Sequence, residues 1–186
     1  MQPDKVASLI LLFMCILIVK PAKVRLPDYA TLCRCADRNP DGFGFAVPEK
    51  TFKSLSFDTF IKRLSETDED LPMLIHFRRA THGSIRQSNC HPFRDRESGI
   101  SFAHNGVLHI QNMADKTDSE TAFRLLFLPA IETFGFDTAK SNKAIESIIG
   151  SSKFAFLTDK GTIKTYGHFI KENGCLFSNT GYRPRY

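Results

Sequence analysis

The sequence has no tryptophan and no compact cluster of basic residues. Lysine and arginine (25 residues) outnumber aspartate and glutamate (20 residues), so the formal net charge is +5. The basic residues are scattered, whereas the compact charged segment, residues 66–70, is acidic. Proteins that bind nucleic acids usually concentrate lysine and arginine on one patch or stripe. We therefore expect a mildly basic solvated surface and no nucleic-acid partner; a phosphate-bearing substrate is the weaker alternative.

The cysteines lack the number and spacing of a disulfide framework or a zinc site. They are Cys15, Cys33, Cys35, Cys90 and Cys175. An odd count at irregular intervals does not suit paired disulfides. Cys33-x-Cys35 is one residue shorter than the C-x-x-C of zinc sites, and the histidines show no metal-binding spacing either. The sequence predicts free thiols in a reducing, cytoplasmic compartment, with no metal and no cofactor.

A long apolar segment is missing as well. The apolar run at residues 6–19 is 14 residues long and contains one serine, whereas a membrane-spanning helix needs about 20 residues. The run resembles the apolar core of a signal peptide. A lysine and a proline follow it, however, where an A-x-A-type cleavage site would stand. Composition alone favours the signal peptide among these interpretations.

The same run also divides into two parts. Residues 16–19 suit a buried β-strand, and Met14-Cys15 directly before them resembles a protein start. Residues 1–14 are then an upstream extension or a removed segment, and residues 15–186 form one domain. The motifs below favour this interpretation and predict no membrane partner. The alternative from another class is a membrane-anchored, non-enzymatic binding module.

Hydrophobic spacing predicts a mixture of helices and strands. Helices are expected at residues 27–38, 57–64, 118–132 and 143–149. Strands are expected at residues 16–19, 43–47, 73–77, 100–103, 107–110, 154–158, 162–166 and 175–177. The buried helical residues are expected to include Tyr29, Leu32, Cys33, Ala36, Phe123, Leu126 and Phe127. This order lacks strict βαβ alternation, so it predicts a layered α+β domain.

Short clusters along the chain carry residue types that amide hydrolysis requires. Such an enzyme needs a nucleophile, a base for it, and donors that face the developing oxyanion. A cysteine at a mature N-terminus, as Cys15 would be, supplies the first two. Its own α-amine has a pKa of about 7.7–8.0 and can accept the thiol proton. Asn105-Gly106 supplies the donors through a side-chain amide and a backbone N–H.

An amino-acid substrate would need two further charged partners. Arginine binds a carboxylate bidentately, which suits Arg78, and Asp118 could pair with an ammonium group. Each candidate has an ordinary structural alternative when taken singly. Cys15 could be a core residue, Arg78 a surface charge, Asn105-Gly106 a hairpin turn, and Asp118 a helix N-cap.

Taken in order, the clusters resemble the class II glutamine amidotransferase domain of the N-terminal-nucleophile hydrolases. Residues 76–83 look like its H-x-R-x-A-T-x-G segment, and residues 89–93 like its N-x-H-P-F stretch. Residues 104–106 match its H-N-G, and residues 117–120 its T-D-[ST]-E. Residues 39–44 resemble the N-P-D-G-x-G turn of small stand-alone members. The match covers nearly the whole predicted domain.

The resemblance implies a fold and a role for each matching position. The fold is α+β, a four-layer αββα sandwich. Cys15 is the expected nucleophile, and Asn105 and Gly106 are expected to form the oxyanion hole. The expected substrate-binding residues are Arg78 for the α-carboxylate, Asp118 for the α-ammonium, and Thr81 and His82.

The implied function is a stand-alone module that hydrolyses the side-chain amide of glutamine through a cysteine thioester. The ammonia would pass to an unknown acceptor or to a partner synthase chain. Another γ-glutamyl amide is the alternative substrate for the same fold. Two positions depart from the family pattern. Cys15 is not the second residue, and Arg79 stands where family members often carry an aromatic or apolar residue.

Overall fold

The computed structural model of the protein describes residues 15–80 and 84–184. The predictions that concern residues 1–14, Thr81 and His82 lie outside the described residues. Strands in the described part are β1 (Ile16–Lys20), β2 (Phe43–Val47), β3 (Lys50–Ser54), β4 (Met73–Phe77), β5 (Phe93–Asp95), β6 (Ile100–Asn105), β7 (Lys153–Thr158), β8 (Ile163–Tyr166), β9 (Ile170–Glu172) and β10 (Cys175–Phe177).

These strands form two antiparallel sheets. The first sheet has the order β3-β2-β4-β1-β10-β9, and the second has the order β5-β6-β7-β8. In the first sheet β1 pairs with β4 on one side and with β10 on the other. All five residues of β1 are buried, which explains the continuous apolar run at residues 16–19; the fifth residue, Lys20, donates its Nζ to the Leu71 carbonyl at 2.8 Å.

The helices are α1 (Tyr29–Arg38), α2 (Phe57–Ser65), α3 (Asp118–Ala122), α4 (Leu128–Phe134) and α5 (Ala139–Glu146). A π-helical turn, Phe123–Phe127, joins α3 to α4. Short polar side chains begin four of the helices by accepting a backbone N–H from the first turn; they are Asp28, Ser56, Thr117 and Thr138. Within the described residues, no helix combines the length and the apolar character needed to cross a membrane.

Three apolar clusters hold the layers together. The first lies between the first sheet and helices α1 and α2, and the second between the second sheet and the segment from α3 to α5. The third lies between the two sheets and joins Leu17 and Leu74 of one sheet to Ala103 and Ala155 of the other. Because successive strand residues point to opposite faces, β1 sends Leu17 toward the second sheet and Ile16 toward the helices. The predicted α+β class is confirmed.

Two predicted helix faces are partly wrong. Tyr29 is 64% exposed, and Cys35 occupies the buried position expected for Cys33. Tyr29 is the first residue of α1, before the turn that packs on the sheet. Leu126 is 43% exposed because the π-helical turn adds a residue to the repeat and shifts the helix face. Phe123 and Phe127 are buried in the core as predicted.

Other differences concern the element boundaries. Residues 107–110 do not form the expected strand; Gly106 has φ +148°, and Leu108 N–H bonds to the Asp118 carboxylate instead of to a strand. The helix expected at 143–149 begins four residues earlier, where Thr138 and Ser141 form a capping box. The strands β3, β5 and β9 were not expected, since their residues alternate weakly and are partly exposed.

Candidate active site

A cavity of about 310 Å³ opens where β1 starts and where β4 and β6 end. Its lining includes Cys15, Arg78, Gly106 and Asp118. These residues come from four separate parts of the sequence. The antiparallel neighbours β1 and β4 of the first sheet, strand β6 of the second sheet and the start of α3 bring them to one place.

Cys15 lies half-buried at this cavity, directly before β1. Its Sγ accepts the Arg79 N–H at 3.2 Å and lies 3.4 Å from the Arg79 carbonyl oxygen. Burial raises the pKa of the Cys15 thiol above its usual value. The Arg79 N–H and the positive charge of Arg78 act in the opposite direction without overcoming burial. The thiol is therefore protonated at neutral pH and needs a base in order to attack.

The turn at residues 39–42 holds the segment that carries Arg78. Asp41 N–H donates to the Arg78 carbonyl at 3.0 Å, and Asp41 Oδ2 accepts the Ala80 N–H at 2.8 Å. Arg78 N–H in turn donates to the Gly42 carbonyl at 2.7 Å. The Arg78 side chain is 4% exposed, and its Nη1 donates to the Ser84 carbonyl at 3.3 Å. A buried guanidinium at the cavity wall suits a bound carboxylate.

Gly106 directly follows β6 at the cavity wall. Its φ of +148° is a conformation that other residues rarely adopt. A Cβ at this position would lie 2.2 Å from Ser152 Oγ and 2.8 Å from His104 Nε2. Glycine is thus required here by both conformation and space. The hairpin-turn alternative for Asn105-Gly106 is wrong, because Asn105 lies within β6 and pairs with Lys153 of β7.

Asn105 lies beside the cavity, with its side chain buried next to the first sheet. Its Nδ2 donates to Ser178 Oγ at 2.7 Å, and Ser178 Oγ also accepts the Leu17 N–H at 2.9 Å. Asn105 Oδ1 is buried and has no hydrogen-bond partner among the described residues. The next residue after Ser178, Asn179, donates its Nδ2 to the Cys15 carbonyl at 2.8 Å. The chain after β10 therefore contacts both Cys15 and Asn105.

Asp118 lies in the first turn of α3 and faces the cavity. Its Oδ2 accepts the Leu108 N–H at 2.8 Å, and its Oδ1 accepts the Ser119 N–H at 2.7 Å. The helix N-cap itself is Thr117, so the N-cap alternative for Asp118 is wrong. Each carboxylate oxygen can accept more than one hydrogen bond, so Asp118 retains capacity for an ammonium group.

A chain of hydrogen bonds runs from Asp118 into the protein. Ser119 Oγ–H donates to Asp118 Oδ1 at 3.1 Å, and His104 Nδ1 lies 2.8 Å from Ser119 Oγ. Because the serine hydrogen is used by the carboxylate, His104 Nδ1 must be the protonated nitrogen. Burial lowers the pKa of His104 to about 4, although the charge of Asp118 opposes this shift. His104 is neutral at physiological pH.

Two more histidines pack beside His104. The ring centroids of His76 and His91 are 4.4 Å apart, and His76 Nε2–H donates to the His104 carbonyl at 3.0 Å. Burial lowers the pKa of His76 to about 3 and also lowers the pKa of His91 well below its ordinary value. No group of His, Cys, Asp and Glu side chains in residues 15–80 and 84–184 is arranged to hold a metal ion.

The sequence of the chain matches the family described as "Glutamine amidotransferases class-II" over residues 11–164, well over half of its 186 residues. The chain belongs to this family. It is also 31% identical to the Saccharomyces cerevisiae protein named "Probable glutamine amidotransferase DUG3", in a match that covers 56% of this chain. The match covers 37% of the yeast protein, so the chain corresponds to little more than a third of that relative.

Some of the residues predicted to form the site of this class II glutamine amidotransferase line the cavity, and others do not. Cys15, Arg78, Gly106 and Asp118 line the cavity, whereas Asn105 lies behind it. Thr81 and His82 lie outside the described residues, so their roles stay predictions. Further lining residues were not assigned roles from the sequence; they include Arg79, Asn89, His91, His109, Asn112 and Lys116. Asn89 and His91 could have been selected, since both belong to the N-x-H-P-F motif.

Proposed function

We propose that this class II glutamine amidotransferase hydrolyses the side-chain amide of glutamine with Cys15 as its nucleophile. One observation carries the proposal: Cys15 shares a cavity with a buried arginine, a carboxylate and the glycine that directly follows β6. In the proposed reaction Cys15 Sγ bonds to the amide carbon, and its proton is taken up by a base. The C–N bond then breaks, ammonia leaves with one added proton, and water converts the thioester to glutamate.

We infer that the base is the α-amine of Cys15 itself. The raised pKa of the thiol means that a proton must be removed during attack. In the described residues the hydrogen bonds of Cys15 Sγ go to the Arg79 backbone, and the nearby histidines are buried with lowered pKa values. A free α-amine has a pKa of about 7.7–8.0, which suits this role. Cys15 has a free α-amine only when residues 1–14 have been removed.

The other site residues are assigned to the parts of glutamine whose charge they would complement. Arg78 binds the α-carboxylate and Asp118 the α-ammonium of glutamine, with Thr81 and His82 completing the binding site. Asn105 Nδ2 and the Gly106 N–H form the oxyanion hole. The packing of helices on the outer faces of two stacked sheets supports a four-layer αββα sandwich of the N-terminal-nucleophile hydrolases.

The acceptor of the ammonia lies outside this chain in our proposal. Class II glutamine amidotransferases are named for transfer of the amide nitrogen, so a partner synthase or another acceptor would receive the ammonia. All five cysteines are free thiols, which supports a reducing compartment such as the cytoplasm. The non-enzymatic, membrane-anchored alternative has no support from the cavity and its residues.

Protein that starts at Cys15 should release equal amounts of glutamate and ammonia from L-glutamine. Cys15→Ala should abolish this release. Cys33→Ala is the matched control, since Cys33 is half-buried on α1 and does not line the cavity. A panel of γ-glutamyl amides tests the alternative substrate: a much higher kcat/KM for one of them would replace glutamine. Wild-type turnover by Cys15→Ala would contradict the proposed mechanism.

A further inference from the structure

Ser178 joins the strand that follows the nucleophile to the strand that carries Asn105. Its hydroxyl oxygen accepts the Leu17 N–H at 2.9 Å and lies 2.7 Å from the end of the Asn105 amide. Ser178 is 3% exposed, so water does not compete for these bonds. It lies beyond residue 164, where the family match ends, and none of the sequence motifs includes it.

The strands orient Cys15 and Asn105 toward the same space. Leu17 and Ala103 belong to the cluster between the two sheets. Since side chains alternate along a strand, Cys15 lies on the same side as Leu17, and Asn105 lies on the same side as Ala103. The Asn105 amide therefore lies between the sheets at the end where Cys15 begins β1. One end of this amide contacts Ser178, and the other end has no partner in the described residues.

The two ends of an asparagine amide have nearly the same shape, so their hydrogen-bond partners decide which end faces which neighbour. If Nδ2 faces Ser178, as it is placed in the structure, both lone pairs of Ser178 Oγ are used. The serine hydrogen then has no acceptor in the described residues, and Asn105 Oδ1 stays buried without a donor. If Oδ1 faces Ser178, the serine O–H donates to it while the Leu17 bond is kept. The unpaired end is then the NH₂ group.

The two orientations form equal numbers of hydrogen bonds within the protein, but a substrate distinguishes them. An oxyanion accepts hydrogen bonds, so it pairs with an NH₂ group and is repelled by a carbonyl oxygen. We propose that Ser178 is a positioning residue that holds Oδ1 of Asn105 toward itself and thereby directs the Asn105 NH₂ group at the reacting carbonyl oxygen. This inference rests on the proposed function, because it assumes that Asn105 serves the oxyanion.

The kinetic test uses Ser178→Ala, Asn105→Ala and the double variant. Ser178→Ala should lower kcat by roughly 10-fold to 100-fold, below the roughly 10²–10³-fold loss that follows removal of an oxyanion donor. KM should be nearly unchanged, because the interaction acts on the transition state. If Ser178 acts only through Asn105, the double variant should have the same kcat as Asn105→Ala. Ser101→Ala is the matched control, since Ser101 is a fully buried serine of β6 without a hydroxyl partner in the described residues.

The orientation of the amide is measured separately by NMR in nitrogen-15-labelled protein. Strong Overhauser contacts between the Asn105 NH₂ protons and the Ser178 β-protons would mean that Nδ2 faces Ser178, which would overturn the inference. Additive kcat losses in the double variant, or an unchanged kcat in Ser178→Ala, would also overturn it. Weak or absent contacts would support the orientation even if the wild-type protein did not hydrolyse glutamine, a result that would count against the proposed function alone.

Discussion

Arg78 combines burial with positive charge at the wall of the cavity. The resemblance to the family assigned it from the sequence, and the structure supplies the reason for its position. The turn at residues 39–42 holds its backbone on both sides. Its planar guanidinium can bind both oxygens of a carboxylate at once, whereas lysine offers a single point charge.

We expect Arg78→Lys to raise the KM for glutamine by about tenfold or more, because one of two parallel hydrogen bonds is lost. The kcat at saturating glutamine should fall much less, since the carboxylate is bound equally in the ground and transition states. Steady-state ammonia release at increasing glutamine concentrations measures both constants. Arg63→Lys, an exposed position on α2, is the control and should change neither. An unchanged KM in Arg78→Lys would remove Arg78 from the carboxylate site.

Gly106 is the residue whose substitution should damage the site most directly. A Cβ would lie 2.2 Å from Ser152 Oγ, and the φ of +148° disfavours every other residue. Gly106→Ala should therefore shift the end of β6, moving both proposed oxyanion donors, and lower kcat by at least roughly 10²-fold. The same substitution at Gly150, where an added Cβ meets nothing within 4 Å, is the control for site damage. Wild-type kcat in Gly106→Ala would exclude the Gly106 N–H from the oxyanion hole.

At the scale of the elements, helix ends are set by short-range contacts that sequence analysis can detect only in part. Thr138 begins α5 by accepting the Ser141 N–H at 3.3 Å, while Ser141 Oγ accepts the Thr138 N–H at 3.1 Å. This reciprocal pair starts the helix four residues before the apolar spacing suggested. The helix then packs on the outer face of the second sheet, where Ile145 is buried.

Thr138→Ala should therefore lower the free energy of unfolding by about 1 kcal/mol, the usual effect of losing an N-cap. Glutaminase kcat and KM should stay at wild-type values, because α5 does not contribute to the cavity lining. Urea unfolding followed by circular dichroism measures the change. Thr162→Ala is the matched control, since Thr162 is exposed and its side chain makes no hydrogen bond in the described residues. Equal destabilisation by both variants would contradict the capping explanation.

The whole molecule should lose stability in mild acid because of its buried histidines. The pKa values of His76 and His104 in the folded state are about 3 and 4, and that of His91 is also lowered, against about 6.5 in the unfolded chain. Below pH 6.5 the unfolded state therefore binds protons that the folded state does not. The free energy of unfolding therefore decreases as the pH is lowered. With all three histidines contributing, the decrease is up to about 4 kcal/mol per pH unit.

Thermal unfolding between pH 7.5 and pH 4.5 measures this dependence. The Tm should be nearly constant above pH 7 and should fall steeply below pH 6. His91→Gln should reduce the slope by about one third, as one of the three histidines is removed. His168→Gln should leave the slope unchanged, because His168 is exposed. A Tm that does not change from pH 7 to pH 5 would show that the three histidines are not held neutral by burial.

We expect the first residue of the mature chain to decide whether the whole molecule is active, because the proposed base is the α-amine of Cys15. An upstream peptide would convert the α-amine of Cys15 into an amide, which cannot accept a proton near neutral pH. Protein made from Met14, with that methionine removed, should hydrolyse glutamine, and protein that keeps residues 1–14 should be inactive. Intact mass spectrometry identifies the first residue in each sample. Full activity in protein that retains Met1 would contradict both the start at Cys15 and the free-amine mechanism.

The sequence by itself determined the features that depend on neighbouring residues and on the order of motifs. The strands β2, β4 and β10 have their predicted bounds, because short apolar runs between turn residues have few other solutions. The family and its candidate residues were identifiable because motifs such as H-N-G and T-D-S-E keep their order along the chain.

The tertiary structure decided which of these residues meet. Ser178 contacts Leu17 across 161 residues of sequence and Asn105 across 73, and no local pattern specifies such contacts. The exposure of Leu126 likewise follows from the π-helical turn, which depends on how the helix packs on the second sheet. Local spacing sets which face of an element is apolar, but only the packed sheets decide which polar groups are buried together and must satisfy one another.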